Sequence, residues 1–339
     1  MWQVRFVRNA VTSLLPFQGA LRRVKRSVFG KSHHIDEGSV YAGGLDQIHL
    51  LQENGLELEG ADILEIGTGW YPVIPLMLRL AGARHVYLSD THRLLDAETL
   101  AVAQNFLLLR AGDLAERLNL SEDEVRSVLD AGHSGPLETR LADLGMSYHI
   151  NLDYARVDWK ADAIISHTVM EHIPPADIRR LLMEGRAVLN PGGLMSHGID
   201  HSDHRAHGDR SLSRVDFLRY SDRAWRWLCL NPQDYTNRLR HADYVAMVRD
   251  AGFDVLFERA LVDEGALKDI SDLRLNARFA FHNPEDLAGL WSHIVARPGR
   301  PRHNTVLAQV ARPRQTGRPE RWLSPPKSHG SSSGARHIN

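Results

Sequence analysis

Residues 61–76 read Ala61-Asp62-Ile63-Leu64-Glu65-Ile66-Gly67-Thr68-Gly69-Trp70-Tyr71-Pro72-Val73-Ile74-Pro75-Leu76. A short apolar run ends in two closely spaced glycines and then re-enters an apolar, helix-compatible segment. Such a run predicts a strand feeding a glycine turn. Glycines there let the backbone approach a ligand and present its amides. A dinucleotide fingerprint needs a third glycine at position 72, where Pro72 stands, which argues against NAD. The next apolar run, His85–Ser89, ends in Asp90, 23 residues after Gly67. That is near the distance at which an acid meets ribose hydroxyls in nucleotide-binding α/β folds.

Outward from this stretch, short apolar segments alternate with helical ones. Strands are expected at 63–66, 85–89, 147–151, 162–166, 194–199, 253–259 and 305–311, and helices at 45–51, within 75–80 and over 284–295. Alternation of this kind marks an α/β fold, a doubly wound and mostly parallel sheet of seven strands covered on both faces. A helical insertion is expected at 112–145, where Ser121-Glu122-Asp123-Glu124 precedes Val125, Val128 and Leu129 as a capping pattern, and it is a candidate lid.

The termini differ from the body. Residues 1–35 hold seven Lys or Arg and no acid, residues 297–339 hold nine against Glu320, and the rest holds 25 basic and 41 acidic residues. The division expected is a basic amphipathic segment at 1–40, a catalytic domain at 41–312 and a disordered tail at 313–339. Val4, Val7, Val11, Leu14 and Leu15 fall at helical spacing among basic residues. They fit peripheral contact with an anionic membrane or packing onto the enzyme body. A single cysteine, Cys229, leaves no intramolecular disulfide and suits a reducing, cytoplasmic location.

Glu65-Ile66-Gly67-Thr68-Gly69, Asp90 and the run Asp162–Met195, with its Glu171-His172 pair and Asn190-Pro191-Gly192-Gly193 turn, together resemble the signature blocks of class I S-adenosylmethionine-dependent methyltransferases. A weaker resemblance, in Gly198–His204 and Leu239–Phe253, is to a bacterial subgroup associated with surface-glycan genes. The first resemblance implies a Rossmann-like methyltransferase fold and S-adenosyl-L-methionine as cofactor. It places Glu65 near the methionine ammonium, Gly67, Thr68 and Gly69 along the methionine end, Asp90 at the ribose, Asp153 at the adenine and His167 flanking the cofactor. Tyr71 stands where the family often has a further glycine.

A sulfonium is already a good leaving group, so methyl transfer needs alignment and, for a hydroxyl acceptor, removal of its proton. Candidate groups cluster after the fourth and fifth strands, at the edge where open parallel sheets bind ligands. His172 and His201 are the first choices for a base, with Asp203 and His204 beside them, because imidazole titrates near neutrality. His197, His201, His204 and His207 would gather around a metal only if that stretch were helical, and Gly198 and Gly208 oppose a helix, so no metal is expected. A metal-dependent RNA ribose methyltransferase motif resembles Glu-x-x-Glu-His, but Thr168 replaces its first Glu. Trp225, Trp227, Tyr235 and Tyr244 are expected mainly in the core. The activity expected is methyl transfer to a small-molecule or glycan hydroxyl. RNA methylation and a non-catalytic cofactor-binding scaffold are the alternatives. The acidic body and the lack of a base-stacking motif such as Asn-Pro-Pro-Tyr disfavour nucleic acid.

Overall fold

Alternating helices and strands, with short connections, build the computed structural model, which describes residues 35, 37–229 and 235–299. The basic amphipathic segment, the C-terminal tail and the strand expected at 305–311 lie outside the described residues. Helix α1 (Glu37–Glu53) leads into β1 (Asp62–Ile66), buried along its whole length, then α2 (Val73–Leu80) and β2 (His85–Asp90). Four helices follow: α3 (Ala97–Leu108), α4 (Ala111–Leu118), α5 (Glu122–Asp130) and α6 (Leu137–Asp143). Beyond them come β3 (Met146–Ile150), β4 (Ala161–His167), α7 (Pro175–Val188) and β5 (Leu189–Asp200). The chain continues through α8 (His204–Gly208), α9 (Asp222–Leu228), α10 (His241–Asp250) and β6 (Phe253–Val262). It ends with α11 (Glu264–Asp272), α12 (Pro284–Ala288) and β7 (Gly289–Pro298).

The seven strands form one sheet in the order β3-β2-β1-β4-β5-β7-β6. Pairing from β3 to β5 is parallel, and β7 runs antiparallel to both of its neighbours. The order reverses between β1 and β4, which opens a crevice at their carboxyl ends. Alternation along the strands divides the apolar residues between two faces. Ile63, Ala163 and Ile165 join the core that includes α1 and α2, whereas Leu64, Ile164 and Met195 join the core beneath α7 and α10. A third, satellite core gathers Val215, Phe217, Trp225, Ile270, Phe279 and Leu287.

The seventh strand corrects the sequence reading. Residues 284–295 were expected as one helix, yet only Pro284–Ala288 is helical, started by Asn283 Oδ1 accepting from Asp286 N at 2.6 Å. From Gly289 the chain extends as β7. Lying between β5 and β6, β7 is covered on both faces, with Leu290 and Ser292–Ala296 all buried. A short run buried on both faces lacks the alternation that separates a strand from a buried helix. At the start of β5, Pro191-Gly192-Gly193 is absorbed by a register break between the Ala161–Leu189 and Ala163–Leu194 pairs.

The insertion after β2 is tied into the body. Val125, Leu129 and Leu141 lie in the first core. Buried Arg140 donates to Gly132 O, Ala97 O and Gln104 Oε1 at 2.5, 2.8 and 3.0 Å, while Gln104 Nε2 donates to Leu129 O and Ala131 O. The capping box expected at Ser121 forms, with Glu124 N donating to Ser121 Oγ and Ser121 N to Glu124 Oε2. Trp225 and Tyr244 are buried, whereas Trp227 is 64% exposed. Among the described residues no helix is long and apolar enough to cross a membrane.

Candidate functional site

At the carboxyl end of β1 the chain turns through Gly67 and Gly69, both at positive φ, 75° and 67°. Gly67 N and Thr68 N donate to Ser89 O of β2 at 2.8 and 3.1 Å. Gly69 N donates to Asp90 Oδ2 at 3.0 Å, and His92 N to Asp90 Oδ1 at 3.1 Å. The turn is therefore bolted to the end of the neighbouring strand. A Cβ on Gly67 would fall 2.5 Å from Val169 Cγ2, so only glycine lets the turn pass beneath the loop that follows β4. Ser89 Oγ donates to Glu65 O and pairs with Tyr154 Oη at 3.0 Å, which joins the loop after β3 to the same corner.

Glu65 is buried beside this turn. Its Oε2 and the Thr68 hydroxyl have no hydrogen-bond partner among the described residues. Burial pushes the Glu65 carboxyl up to about 8, against the nearby Thr68 hydroxyl, which favours the charged form without aligning as a donor, and with the charge of Asp90 adding to it. By strand alternation Glu65 and His167 point to the face on which α1 lies. His167, at the end of β4, has Nε2 3.4 Å from Ser39 Oγ and its ring centroid 5.0 Å from that of Trp291. Its ring lies against Gly43, where a Cβ would fall 2.1 Å from Cε1. Asp153 is more detached. It accepts from Ala155 N at 3.2 Å and pairs with Arg156, with its side chain 54% exposed.

A second polar group forms where β4 and β5 end. After Thr168, at φ 55°, the turn Met170–His172 carries Glu171 inward and His172 to the surface. Asn237 holds this turn, donating from its amide nitrogen to Met170 O and Ile173 O and from its backbone to Glu171 O. Glu171 is 3% exposed, and neither carboxylate oxygen makes a hydrogen bond. Burial raises its carboxyl well above the usual range. The nearby backbone amides of Glu171 and Asp200 favour the charged form without aligning as donors. His172 Nδ1 lies 2.9 Å from Tyr235 O. A carbonyl can only accept, so Nδ1 carries the proton and the Nε2 lone pair is left for a ligand. Burial of the ring's inner side and the neighbouring His204 lower the His172 pKa.

From β5, Asp200 Oδ2 lies 3.2 Å from His204 Nε2, a close contact that is not an aligned hydrogen bond. Burial works against the Asp200 charge, yet His204 and Ser202 together hold its carboxyl well below the carboxylate range. His207 bonds Ser202 Oγ through Nε2 at 2.8 Å and stacks on His204. Each of Glu171, His172 and His204 offers a ligand atom, and these atoms lie within 4.8 Å of one another.

Two of the residues expected here do not join the group. His201 is buried with both ring nitrogens engaged, Nδ1 with Leu239 O at 3.0 Å and Nε2 with Ser292 Oγ at 2.7 Å. Burial and the adjacent Arg240 push its pKa down to about 3, so it has no nitrogen for a substrate proton. Fully buried Asp203 caps α8 through Arg205 N and grips the Arg205 guanidinium, which also reaches Asp216 at 2.9 Å. Both shape the loop. His197 pairs with Ser166 inside the sheet, so the four histidines at three- and four-residue spacing do not converge.

Several contributors carry no sequence signal, because their partners are far along the chain. Tyr235, Asn237 and Ser292 are examples. Arg240 is another: fully buried, it donates to the carbonyl oxygens of His201, Leu287 and Gly289. It thereby holds the loop after β5 against the start of β7.

No family model matches the chain, and no curated protein does. Solved structures do. An S-adenosylmethionine dependent methyltransferase from Mesorhizobium loti is 15% identical, with 76% of this chain and 99% of that one covered and a TM-score of 0.42. The magnesium protoporphyrin IX methyltransferase of Synechocystis PCC 6803, solved with bound SAH, is 14% identical, with 81% and 92% covered and a TM-score of 0.42. Likeness at this level concerns architecture alone.

Proposed function

We propose that this chain binds S-adenosyl-L-methionine across the carboxyl ends of β1, β2 and β4 and transfers its methyl group to a small-molecule or glycan hydroxyl. The observation that carries the reading is Glu65, a buried carboxylate with an unpartnered oxygen beside a glycine turn held open at positive φ. Such an oxygen costs free energy until a donor meets it, and an ammonium group is the donor that also restores its charge. Asp90 accepts from Gly69 N of the turn with one oxygen and from His92 N with the other, which leaves a lone pair on each for a vicinal diol. Gly69, where an added Cβ would meet nothing closer than Gly67 O at 4.0 Å, admits the ligand at backbone distance, while Gly67 lets the turn pass beneath Val169.

When bound, the cofactor supplies an electrophilic methyl on a sulfonium. The chain's own residues fix its orientation and receive the acceptor. Glu171, His172, Asp200 and His204 stand past the ends of β4 and β5, where the acceptor's hydroxyl proton is to be lost. His201 and Asp203 act by holding the loop that carries His204. Titration calorimetry with S-adenosylmethionine tests the cofactor assignment, and formation of S-adenosylhomocysteine with a panel of hydroxylated acceptors tests turnover. Micromolar-range binding that Glu65→Gln leaves unchanged would remove the assignment.

A further inference from the structure

We propose that Glu171, His172 and His204 hold a divalent transition-metal cation. The site stands on these three residues and not on the cofactor. Glu171 is nearly inaccessible to solvent, yet both of its carboxylate oxygens lack a hydrogen bond. Two orphaned oxygens on one buried carboxylate are the signature of a missing partner. His172 is prepared as a ligand, since its Nδ1 donates to Tyr235 O and its Nε2 lone pair points away from that bond. Ligating histidines are ordinarily held through their second nitrogen in this way.

Two imidazoles and one carboxylate suit Mn, Fe, Co, Ni or Zn better than Mg or Ca, which favour all-oxygen shells. Ligand atoms now within 4.8 Å of one another need to close to about 3 Å around an ion bonded at about 2.1 Å. Side-chain rotation supplies that movement. Thr168 does not compete, because its hydroxyl donates to His167 O at 2.7 Å. Three protein ligands leave coordination positions open. Resting on the methyl-transfer reading, an acceptor hydroxyl at one of them would lose its proton more readily to a nearby base, while its oxygen remains on the metal.

The experiment uses the full-length chain, stripped with a chelator and titrated with Co2+, Mn2+ and Zn2+, with the Co2+ ligand-field absorption as the site-specific readout. One equivalent is expected to bind, with affinity falling more than about 10-fold in Glu171→Gln and in His172→Gln and unchanged in His207→Gln. Absence of stoichiometric binding by the folded chain would overturn the proposal. So would binding that Glu171→Gln and His172→Gln leave intact. His172 lies at the surface, so its variant keeps the test open should Glu171→Gln fail to fold. S-adenosylmethionine affinity, measured on the same samples, separates failure of the metal site from failure of the cofactor assignment.

Discussion

Gly69 N donates to Asp90 Oδ2 across 3.0 Å, so the acid at the end of β2 also clamps the turn that follows β1. Removing that carboxylate acts twice, on the turn and on ligand hydroxyls. Asp90→Ala is expected to weaken S-adenosylmethionine binding by more than about 10-fold, or roughly 1.4 kcal/mol. Asp90→Asn, which keeps one acceptor oxygen, should fall between. Calorimetric affinities equal to the parent's would contradict the assignment.

Glu65 makes the empty protein pH-sensitive. Its carboxyl is raised from 4.5 to about 8 by burial, so the folded state holds a proton that the unfolded state releases. The contribution is fully present below pH 4.5 and is lost as pH rises toward 8, by up to about 5 kcal/mol at about 1.36 kcal/mol per pKa unit. Glu65→Gln is expected to melt close to the parent at pH 5 and above it at pH 8.5. If both proteins show the same slope of melting temperature against pH, Glu65 is not the group responsible.

The same shift gives a signature of ligand binding. At pH 7 the empty site holds Glu65 mainly protonated, and an ammonium partner requires the carboxylate. Binding should therefore release about one proton, visible as a dependence of the calorimetric enthalpy on buffer ionisation enthalpy. Glu65→Gln should abolish that dependence.

Gly67→Ala places a Cβ 2.5 Å from Val169 Cγ2 at a φ of 75°. Left-handed backbone alone costs a non-glycine residue about 1–2 kcal/mol, and the clash adds to it. A double variant with Val169→Ala should relieve most of the clash, leaving the backbone cost and a tight contact of 3.2 Å to the remaining Cβ. Denaturant midpoints of the single and double variants measure the two parts, and no recovery in the double would show the clash to be absorbed elsewhere.

His201, held by Leu239 O and Ser292 Oγ, is expected to matter for stability. His201→Ala leaves a cavity and an orphaned buried carbonyl, a loss of about 2–4 kcal/mol, with cofactor affinity little changed in the folded fraction. A parent-like melting temperature would argue that His201 does not carry the loop.

What the sequence disclosed followed the range of the contacts involved. Most of β1 to β6 were legible because each is a local run of apolar or β-favouring residues with a turn signal at its end, β3 (Met-Ser-Tyr-His-Ile) being the least apolar of them. The glycine turn and Asp90 were legible because their spacing is set by one β-α-β unit. Strand β7 was not, since burial on both faces is a property of its neighbours. His201 and His204 look alike in sequence. They part only because Ser292 and Leu239, 91 and 38 residues away, claim the first, whereas α8 carries the second to Glu171. No local pattern contains that choice.

His204 belongs mechanically to a different part of the chain from Glu171 and His172. Its helix is anchored through Arg205, which grips Asp216 and packs over Trp225 of the satellite core, whereas Glu171 and His172 sit on the turn that ends β4. The polar cluster thus lies between the core beneath α7 and α10 and the satellite core. Backbone amides of 215–218 and 266–270 should exchange with deuterium through a sub-global opening that leaves β1 and β4 protected. An ion bridging the two cores would act as a staple and slow their exchange by a factor that grows as one plus its free concentration divided by its dissociation constant.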